Sequence, residues 1–279
     1  MSHTTLQVQM DQGVCTLTLN RPEVRNAMSM TMVQELLSAL TEAESNPQAR
    51  VVVLRGAGGH FCAGGDIGDM AQARMKLAQQ QAALSAGQAV NERNPIEAVN
   101  AAFGRLCLAF SRSSLPIVTV LEGTVMGGGF GLACVSDVTL ARDNVSFRLP
   151  ETSLGIVPAQ IAPFLVERLG YAEAKRLSVT GAKVDAQEAL TIRLVHEVHA
   201  DEASLADALQ RTLSRILACG PKAITETKLL LARARHTSAE YLIDDAAAVF
   251  ARAVLSEEGQ EGTSAFMQKR QPNWVPPAA

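Results

Sequence analysis

The sequence predicts an α/β fold in which helices wrap a mainly parallel sheet and a helical region ends the chain. Two short, almost wholly apolar segments, 50–54 and 116–121, have the composition of strands buried on both faces. Apolar residues at helical spacing fill the stretches between them. From Ile161 onward the helical pattern dominates. Strands that alternate with helices, followed by helices alone, are typical of a mainly parallel sheet wrapped by helices with a helical C-terminal region.

The first 45 residues predict a hairpin and a helix. Residues 8–20 alternate in polarity and are rich in Val, Thr and Leu, with a turn at 11–13. Ser29 precedes a run of apolar residues at helical spacing that extends to about Ala43. We therefore expect Ser29 to mark the start of a helix.

A glycine-rich loop follows the first buried strand. This loop spans residues 56–65 and is followed by Asp66, a residue type that caps helices well. We expect a helix to begin near Ile67. The next segment, 70–95, is rich in Ala and Gln, which predicts an exposed or mobile helix. Such a helix is also compatible with a role as part of a lid.

The second buried strand leads to a second glycine-rich loop. An amphipathic pattern over 100–112 precedes the strand, and Gly127, Gly128 and Gly129 follow it. A largely apolar run covers 132–140. Each of the two glycine loops thus separates a buried strand from a predicted helix.

Composition excludes several classes of protein. The chain has 279 residues, 47% of them hydrophobic, which is enough to form a core without disulfides or metals. The net charge is −3 and the charges are interspersed, so we expect no nucleic-acid partner. No uncharged apolar stretch approaches the roughly 20 residues that a membrane helix needs, so we expect no membrane association.

The cysteines and the N-terminus predict a cytoplasmic protein. The five cysteines lack CxxC spacing, and an odd, unpaired set suits a reducing compartment. The first residues do not resemble a secretory signal. These observations favour small buried thiols over disulfides.

The two glycine loops are the candidate chemical centre. A helix N-terminus offers free N–H groups and the positive end of the helix dipole, and glycine lets a ligand approach the backbone. Two such termini that converge would bind a developing oxyanion. Neither loop matches a dinucleotide-binding fingerprint or a Walker loop, because the required GxGxxG context and Lys-Ser/Thr are missing.

Taken together, the motifs resemble the crotonase (enoyl-CoA hydratase/isomerase) superfamily. The resemblance covers nearly the whole chain. It rests on residues 20–22 with 26–27, 61–67, 127–129, 149–151 with 154–155, and the closing stretch 262–270.

The resemblance implies a crotonase-like spiral of repeated ββα units with a C-terminal helical trimerisation region. We expect residues 1–200 to form the spiral core with the CoA and acyl sites. Residues 201–279 would then provide oligomerisation and closure over CoA. The implied assembly is a homotrimer or a dimer of trimers.

The resemblance also implies roles for individual residues. Gly65 and Gly128 would supply the two oxyanion-hole N–H groups, and Glu151 the catalytic carboxyl. The substrate would be an acyl-CoA thioester, with no bound cofactor and no metal. Residues that would hold or cover CoA are Val24, Arg25, Ala63, Asp66, Ile67, Phe266 and Lys269. Phe266 and Lys269 would close over a CoA, including one bound by a neighbouring subunit. From the residues alone, Lys269 and Arg270 are a solvated basic pair.

The reaction within this class depends on the number of carboxylates. Two-carboxylate hydratases of the family carry a first Glu just after the glycine triplet, where this chain has Gly131. With Glu151 alone, three reactions stay open: hydration, isomerisation of the double bond, and decarboxylation. A scaffold that keeps the fold without turnover is the alternative from another functional class.

Two segments favour hydration of a branched substrate. Residues 125–133 and 155–164 resemble hydratases that act on 3-methylglutaconyl-CoA and isohexenylglutaconyl-CoA, which also tend to lack the first Glu. A hydratase for a 3-substituted glutaconyl-CoA is therefore the leading hypothesis. Gln160 is a candidate donor to the distal carboxylate of such a substrate, with a structural amide as the alternative.

The histidines are weaker candidates. His60 lies beside the first loop, where a histidine is more often solvent-facing than catalytic. His196, Glu197 and His199 do not have the HExxH spacing of zinc enzymes. We therefore expect no metal site.

Overall fold

The computed structural model describes residues 3–89 and 93–276. Within these ranges the strands are β1 (Leu6–Asp11), β2 (Val14–Leu19), β3 (Val51–Gly56), β4 (Ile117–Leu121), β5 (Thr124–Met126), β6 (Val138–Arg142), β7 (Ser146–Arg148), β8 (Lys183–Val184) and β9 (Glu197–His199). The helices are α1 (Met30–Ser45), α2 (Ile67–Ser85), α3 (Pro95–Arg112), α4 (Gly128–Val135), α5 (Ala162–Thr180), α6 (Ala186–Thr191), α7 (Glu202–Ala218), α8 (Pro221–Ala234), α9 (Ala239–Leu255) and α10 (Glu257–Met267).

The larger sheet has the strand order β1-β2-β3-β4-β6-β9. Only β1 and β2 pair antiparallel, with Asp11 opposite Val14, and the remaining pairs are parallel. Parallel strands need crossover connections, which here contain the helices. The predicted hairpin and the predicted mainly parallel sheet are both confirmed.

A smaller sheet, ordered β5-β7-β8, lies beside the first. Single bridges extend it to the glycine-rich loop, because Cys62 pairs with Val125, and Gly65 pairs with Met28. These strands are only two or three residues long, and the sequence analysis missed them. The second glycine loop therefore follows β5 rather than β4.

The helical predictions hold with changed boundaries. Ser29 caps α1 by accepting a hydrogen bond from Met32 N (3.2 Å), and α1 runs two residues beyond the predicted end. The Ala- and Gln-rich segment forms α2 only as far as Ser85, and α3 begins at Pro95, before the predicted start. The C-terminal third, predicted as helices alone, also contains β8 and β9.

The main core lies between the larger sheet and helices α1, α3, α4 and α5. Its largest fully buried side chains include four phenylalanines. A second cluster, on the opposite face of the sheet, packs valines of β3 and β4 against Leu205 and Leu213 of α7. Because both sheet faces are covered, residues 51–54 of β3 and all of β4 except Thr119 are apolar, as the sequence indicated. No helix in the described ranges has the length and hydropathy needed to cross a membrane.

Candidate active site

The first glycine-rich loop connects β3 to α2 and is fixed by side-chain hydrogen bonds. Asp66 caps α2 by accepting from Gly68 N (2.7 Å), and Arg21 Nη1 donates to its other carboxyl oxygen (2.6 Å). Burial pushes the pKa of Asp66 upward, but the hydrogen bonds from Arg21 and Gly68 outweigh it and lower the pKa. Asp66 is therefore a charged, structural cap.

Asn26 is the second support of this loop and is completely buried. Its Nδ2 donates to the carbonyl oxygens of Ala57 (2.9 Å) and His60 (2.7 Å), and its Oδ1 accepts from Arg21 N (2.9 Å). These bonds satisfy buried backbone groups that would otherwise be unpaired. In the sequence Asn26 stands out only as part of a motif, so its role at the loop is a finding of the structure.

The two glycine loops lie side by side. Cys62 N donates to Thr124 O (3.0 Å), and Met126 N donates to Cys62 O (2.9 Å). His60 also joins them, because its Nδ1 accepts from Thr124 N (3.1 Å). His60 is thus a structural link rather than the solvent-facing residue that the sequence suggested.

Each predicted oxyanion-hole glycine is preceded by a glycine in a left-handed conformation. Gly64 has φ +99° and Gly127 has φ +46°. Residues with side chains rarely adopt such φ values. Gly64 and Gly127 therefore set the direction of the peptide that follows each of them. Within the described residues, neither Gly65 N nor Gly128 N donates a hydrogen bond. Gly128 is also the first residue of α4, where N–H groups are free by geometry.

Glu151 lies against the second loop. A Cβ placed on Gly127 would be only 2.8 Å from Glu151 Oε1. Glu151 Oε2 is buried and has no hydrogen-bond partner among the described residues. Burial raises the pKa of the Glu151 carboxyl, against a smaller opposing effect of its own backbone N–H. A desolvated, unpaired carboxyl beside two free N–H groups is suited to proton transfer.

No space exists for a carboxylate at position 131. A Cβ on Gly131 would be 2.3 Å from Ile161 Cγ2 and 3.6 Å from Cys107 Sγ. Ile161 is itself 3% exposed and packs in the main core. The place where a second carboxyl side chain would begin is therefore filled by a methyl group.

Phe103 of α3 covers the other side of the second loop. Its ring lies 3.0 Å from the position that a Cβ on Gly128 would occupy. Phe103 belongs to no motif of the sequence, and its place on an amphipathic helix was the signal that could have found it. Gly128 thus lies beside an aromatic side chain, and the preceding Gly127 lies beside Glu151.

Comparison with known proteins identifies the family. The family described as enoyl-CoA hydratase/isomerase matches residues 9–276 of the chain. The chain belongs to the enoyl-CoA hydratase/isomerase family. It is similar to a crystal structure of an enoyl-CoA hydratase/isomerase from Marinobacter aquaeolei, with 47% identity, a TM-score of 0.90, and coverage of 98% of this chain and 99% of the other.

Two further relatives span the same length. Pseudomonas aeruginosa AtuE is 46% identical, with a TM-score of 0.90, over 98% of this chain and 100% of that one. The 2,3-dehydroadipyl-CoA hydratase of Escherichia coli K12 is 30% identical over 96% of this chain and 98% of the relative. The predicted crotonase-type α/β fold is confirmed, and the chain is an enzyme of a hydratase/isomerase family that acts on CoA thioesters.

Five of the predicted CoA-binding residues of this hydratase/isomerase family member lie together at the first loop. Ala63 N donates to Arg25 O (2.9 Å), so the segment around Arg25 runs beside the loop. Arg25 itself has φ +50°. Ile67 and Val24 are 86% and 40% exposed, which leaves apolar surface next to Asp66.

Phe266 and Lys269 lie elsewhere in the hydratase/isomerase subunit. They belong to the α10 region, where Trp274 Nε1 donates to Ala218 O (3.1 Å) and Arg50 Nη1 donates to Trp274 O (3.0 Å). Arg50 precedes β3, whereas the first glycine loop follows it, and the strand is about 17 Å long. Phe266 is 85% exposed. The segment around Trp274 that follows them therefore lies at the end of β3 opposite the first glycine loop.

Other nucleophiles and metal ligands do not form a second centre in the described ranges. Burial raises the pKa of Cys62 to about 11, so this thiol stays protonated and unreactive. His196 Nδ1 accepts from Thr139 N (3.0 Å), and His199 contacts Glu197 (3.1 Å). No group of three or more metal-ligating side chains occurs in the part of the chain that the structure describes.

Proposed function

We propose that this enzyme hydrates an enoyl-CoA, with Glu151 as the single general acid/base and the N–H groups of Gly65 and Gly128 as the oxyanion hole. The observation that carries the proposal is the buried, unpaired Glu151 carboxyl oxygen beside two N–H groups that have no acceptor within the described residues. A buried polar group without a partner is costly and is retained where chemistry needs it.

The proposed reaction uses one carboxylate twice. Glu151 takes a proton from water as the water oxygen bonds to C3 of the double bond. Electrons move through C2 to the thioester oxygen, where the two N–H groups stabilise the negative charge. Glu151 then returns a proton to C2, so that one water is added. Removal of one such hydrogen-bond donor costs roughly 10²–10³ in kcat in comparable enzymes.

A single carboxylate also allows isomerisation. The same group could move a proton from C4 to C2 without adding water, and an oxyanion hole alone can assist decarboxylation. The filled space beside Gly131 supports chemistry with one carboxylate but does not choose between these reactions. Product analysis separates them, because only hydration gives a 3-hydroxyacyl-CoA.

The proposed substrate is a branched, 3-substituted glutaconyl-CoA. Support comes from the segments 125–133 and 155–164, which resemble hydratases for 3-methylglutaconyl-CoA and isohexenylglutaconyl-CoA. The relative named 2,3-dehydroadipyl-CoA hydratase supports hydration of an enoyl thioester. Assays with isohexenylglutaconyl-CoA, 3-methylglutaconyl-CoA and crotonyl-CoA test this proposal, and a clear preference for crotonyl-CoA would contradict it.

For CoA itself we propose the surface formed by Val24, Arg25, Ala63, Asp66 and Ile67. Its support is the backbone pairing of Ala63 with Arg25 and the exposed side chain of Ile67. Phe266 and Lys269 are proposed to close over a CoA bound by a neighbouring subunit. The neighbouring Trp274 contacts Arg50, at the end of β3 opposite the first glycine loop, which supports a role across subunits rather than within one.

We also propose a cytoplasmic homotrimer, or a dimer of trimers, with a core of residues 1–200 and an oligomerisation region of 201–279. The boundary falls between β9 and α7. Supporting it are large apolar side chains that the single chain leaves exposed on α9 and α10: Tyr241, Ile243, Phe250, Leu255, Phe266 and Met267. Light scattering on the purified protein measures the assembly directly.

The decisive functional test is Glu151→Gln. We expect kcat to fall about 10²–10⁴-fold, as for loss of a general acid/base, while the Kd for a saturated acyl-CoA stays within about threefold. Exposed Glu202→Gln is the matched control and should leave both values unchanged. If the chain were a binding scaffold, the unaltered protein would bind thioesters but show no turnover for Glu151→Gln to abolish.

A further inference from the structure

One face of α3 packs against the second glycine loop. Side chains at positions i, i+3, i+4 and i+7 share a helix face. On this face Phe103 lies next to Gly128, and Cys107 lies next to Gly131. The remaining members of the face are Asn100 and Gly104. Asn100 thus lies one helical turn before Phe103, the residue that contacts Gly128.

Gln160 brings a second amide to the same place. Its Nε2 donates to Asn100 Oδ1 (2.8 Å). Its Oε1 lies over Gly104, where an added Cβ would be only 2.0 Å away. Any larger residue at position 104 would displace the Gln160 amide, so the glycine provides the space in which the amide pair forms.

The pair presents N–H groups rather than oxygens. Asn100 Oδ1 already accepts from Gln160, and Gln160 Oε1 faces the backbone of Gly104. Asn100 Nδ2, with two protons, donates to no acceptor in the described residues, and Gln160 Nε2 has a second proton. The two amides therefore form a donor-rich polar patch beside the apolar side chains of Phe103 and Ile161.

The location suits the far end of a short acyl chain. The Cβ atoms at i and i+3 on a helix are about 5–6 Å apart, so Asn100 is the helical neighbour of Phe103, whose ring covers Gly128. A thioester whose oxygen binds at Gly128 N would reach this patch with its first few carbons. Both amides are half-buried, which leaves some water for a charged group that binds there.

We propose that Asn100, held in place by Gln160, donates hydrogen bonds to a carboxylate at the distal end of the acyl chain and so determines specificity for dicarboxylic thioesters. This inference rests on the proposed function and extends it. Asn100 is the specificity-determining contact. Gln160 is a positioning residue, because its amide fixes the orientation of Asn100.

The test compares two substrates that differ only at the distal group. These are 3-methylglutaconyl-CoA, which ends in a carboxylate, and 3-methyl-2-pentenoyl-CoA, which ends in a methyl group. The informative variant is Asn100→Asp, since it keeps the acceptor for Gln160 Nε2 but removes both Nδ2 protons and adds a negative charge. Glu97→Gln, at an exposed position on the same helix, is the control.

We expect Asn100→Asp to lower kcat/KM for the carboxylate substrate by about 10- to 100-fold, the worth of a hydrogen bond to a charged group. The methyl substrate should stay within about twofold. Asn100→Ala should lower the ratio of the two kcat/KM values in the same direction. Equal losses with both substrates, or no loss in Asn100→Asp, would overturn the proposal and leave the pair as a tie between α3 and the 156–161 segment.

Binding of unreactive thioesters separates this inference from the proposed function. Calorimetry with 3-methylglutaryl-CoA and 3-methylpentanoyl-CoA needs no turnover. Preference for the carboxylate ligand that Asn100→Asp abolishes would support the amide pair even if hydration were absent. Hydration without any such preference would support the reaction and refute the pair.

Discussion

The two glycine loops of the active site reach similar backbone geometry by different means. In the first loop, a Cβ on Gly65 would meet no atom within 4 Å. That loop is held by a hydrogen bond from Asn26 to Ala57 O and by one from Arg21 to Asp66, the residue that follows the loop. In the second loop, added Cβ atoms at Gly129 and Gly131 would overlap Cys62 and Ile161. The first loop is therefore open at Gly65 and fixed by polar side chains, although its first glycine, Gly56, is tightly packed, with an added Cβ 2.0 Å from His60 O. The second loop is closely packed at Gly129 and Gly131.

The largest effect on the free energy of unfolding is expected when a charged side chain is placed in the packed second loop. Gly131→Glu would restore the residue that two-carboxylate hydratases carry, but it would drive the new side chain into Ile161. We expect a loss of about 4 kcal/mol or more in the free energy of unfolding, from overpacking and a buried charge. Urea denaturation measures it. Gly131→Glu with Ile161→Ala should recover part of the loss; no recovery would show that Ile161 is not the obstacle.

Gly129→Ala is the next largest change. Its Cβ would lie 2.7 Å from Cys62 Cβ and 2.8 Å from Cys62 O. These overlaps would push the two glycine loops apart. We expect about 2–3 kcal/mol of destabilisation, in the range for overpacked cores. Thermal unfolding followed by circular dichroism measures it, and a variant as stable as the parent would contradict the packing account of the second loop.

Asn26→Leu tests the polar support of the first loop. The substitution preserves approximate volume but leaves the carbonyl oxygens of Ala57 and His60 without their donor. We expect a loss of about 2 kcal/mol, because buried unpaired groups cost about 1–3 kcal/mol. A weaker affinity for CoA should accompany it. If stability fell while the affinity stayed unchanged, the loop would not depend on Asn26 for its binding conformation.

Glu151→Gln should slightly stabilise the fold at neutral pH. Burial raises the pKa of Glu151, so the folded state binds its proton more tightly than the unfolded state does. Its contribution to stability is therefore complete below the ordinary carboxyl pKa and is lost as pH rises through the raised value. We expect the variant's Tm to exceed the parent's by at most about 2 °C at pH 7, and the two to converge below about pH 4. A Tm difference that grows on acidification would contradict a raised pKa of Glu151 in the folded state.

The smallest effect on stability is expected for Gly65→Ala. Its φ is not in the left-handed region, and the space around it is open, so the Tm should change by less than about 1 °C. The methyl group would project into the proposed thioester site, and we expect about tenfold weaker binding of acyl-CoA by calorimetry. Gly129→Ala is the matched comparison, and equal destabilisation by the two substitutions would remove the contrast between the loops.

Much of the fold could be predicted because its determinants are local. The hairpin before α1, the Ser29 and Asp66 caps and the buried strands follow from short patterns of polarity and capping residues. The short strands β5, β7 and β8 were missed because two or three residues carry too little periodicity. Their pairing depends on contacts with distant parts of the chain.

The candidate site was predictable in its residue types but not in its supports. Gly65, Gly128 and Glu151 follow from motifs, whereas the left-handed conformation falls on the preceding glycines, 64 and 127. Nothing local to Gly131 shows that Ile161, thirty residues later, fills its side-chain space. The Asn100–Gln160 pair likewise joins residues sixty positions apart, so only the folded chain brings the two amides together.

The most direct test of the central claim is a crystal structure of the enzyme with 3-methylglutaryl-CoA, a saturated thioester that cannot be hydrated. We expect the thioester oxygen within about 2.7–3.1 Å of both Gly65 N and Gly128 N, with the Glu151 carboxyl facing C2 and C3. A thioester oxygen that contacts neither N–H group, or a Glu151 carboxyl turned away from the acyl chain, would contradict the proposed chemistry.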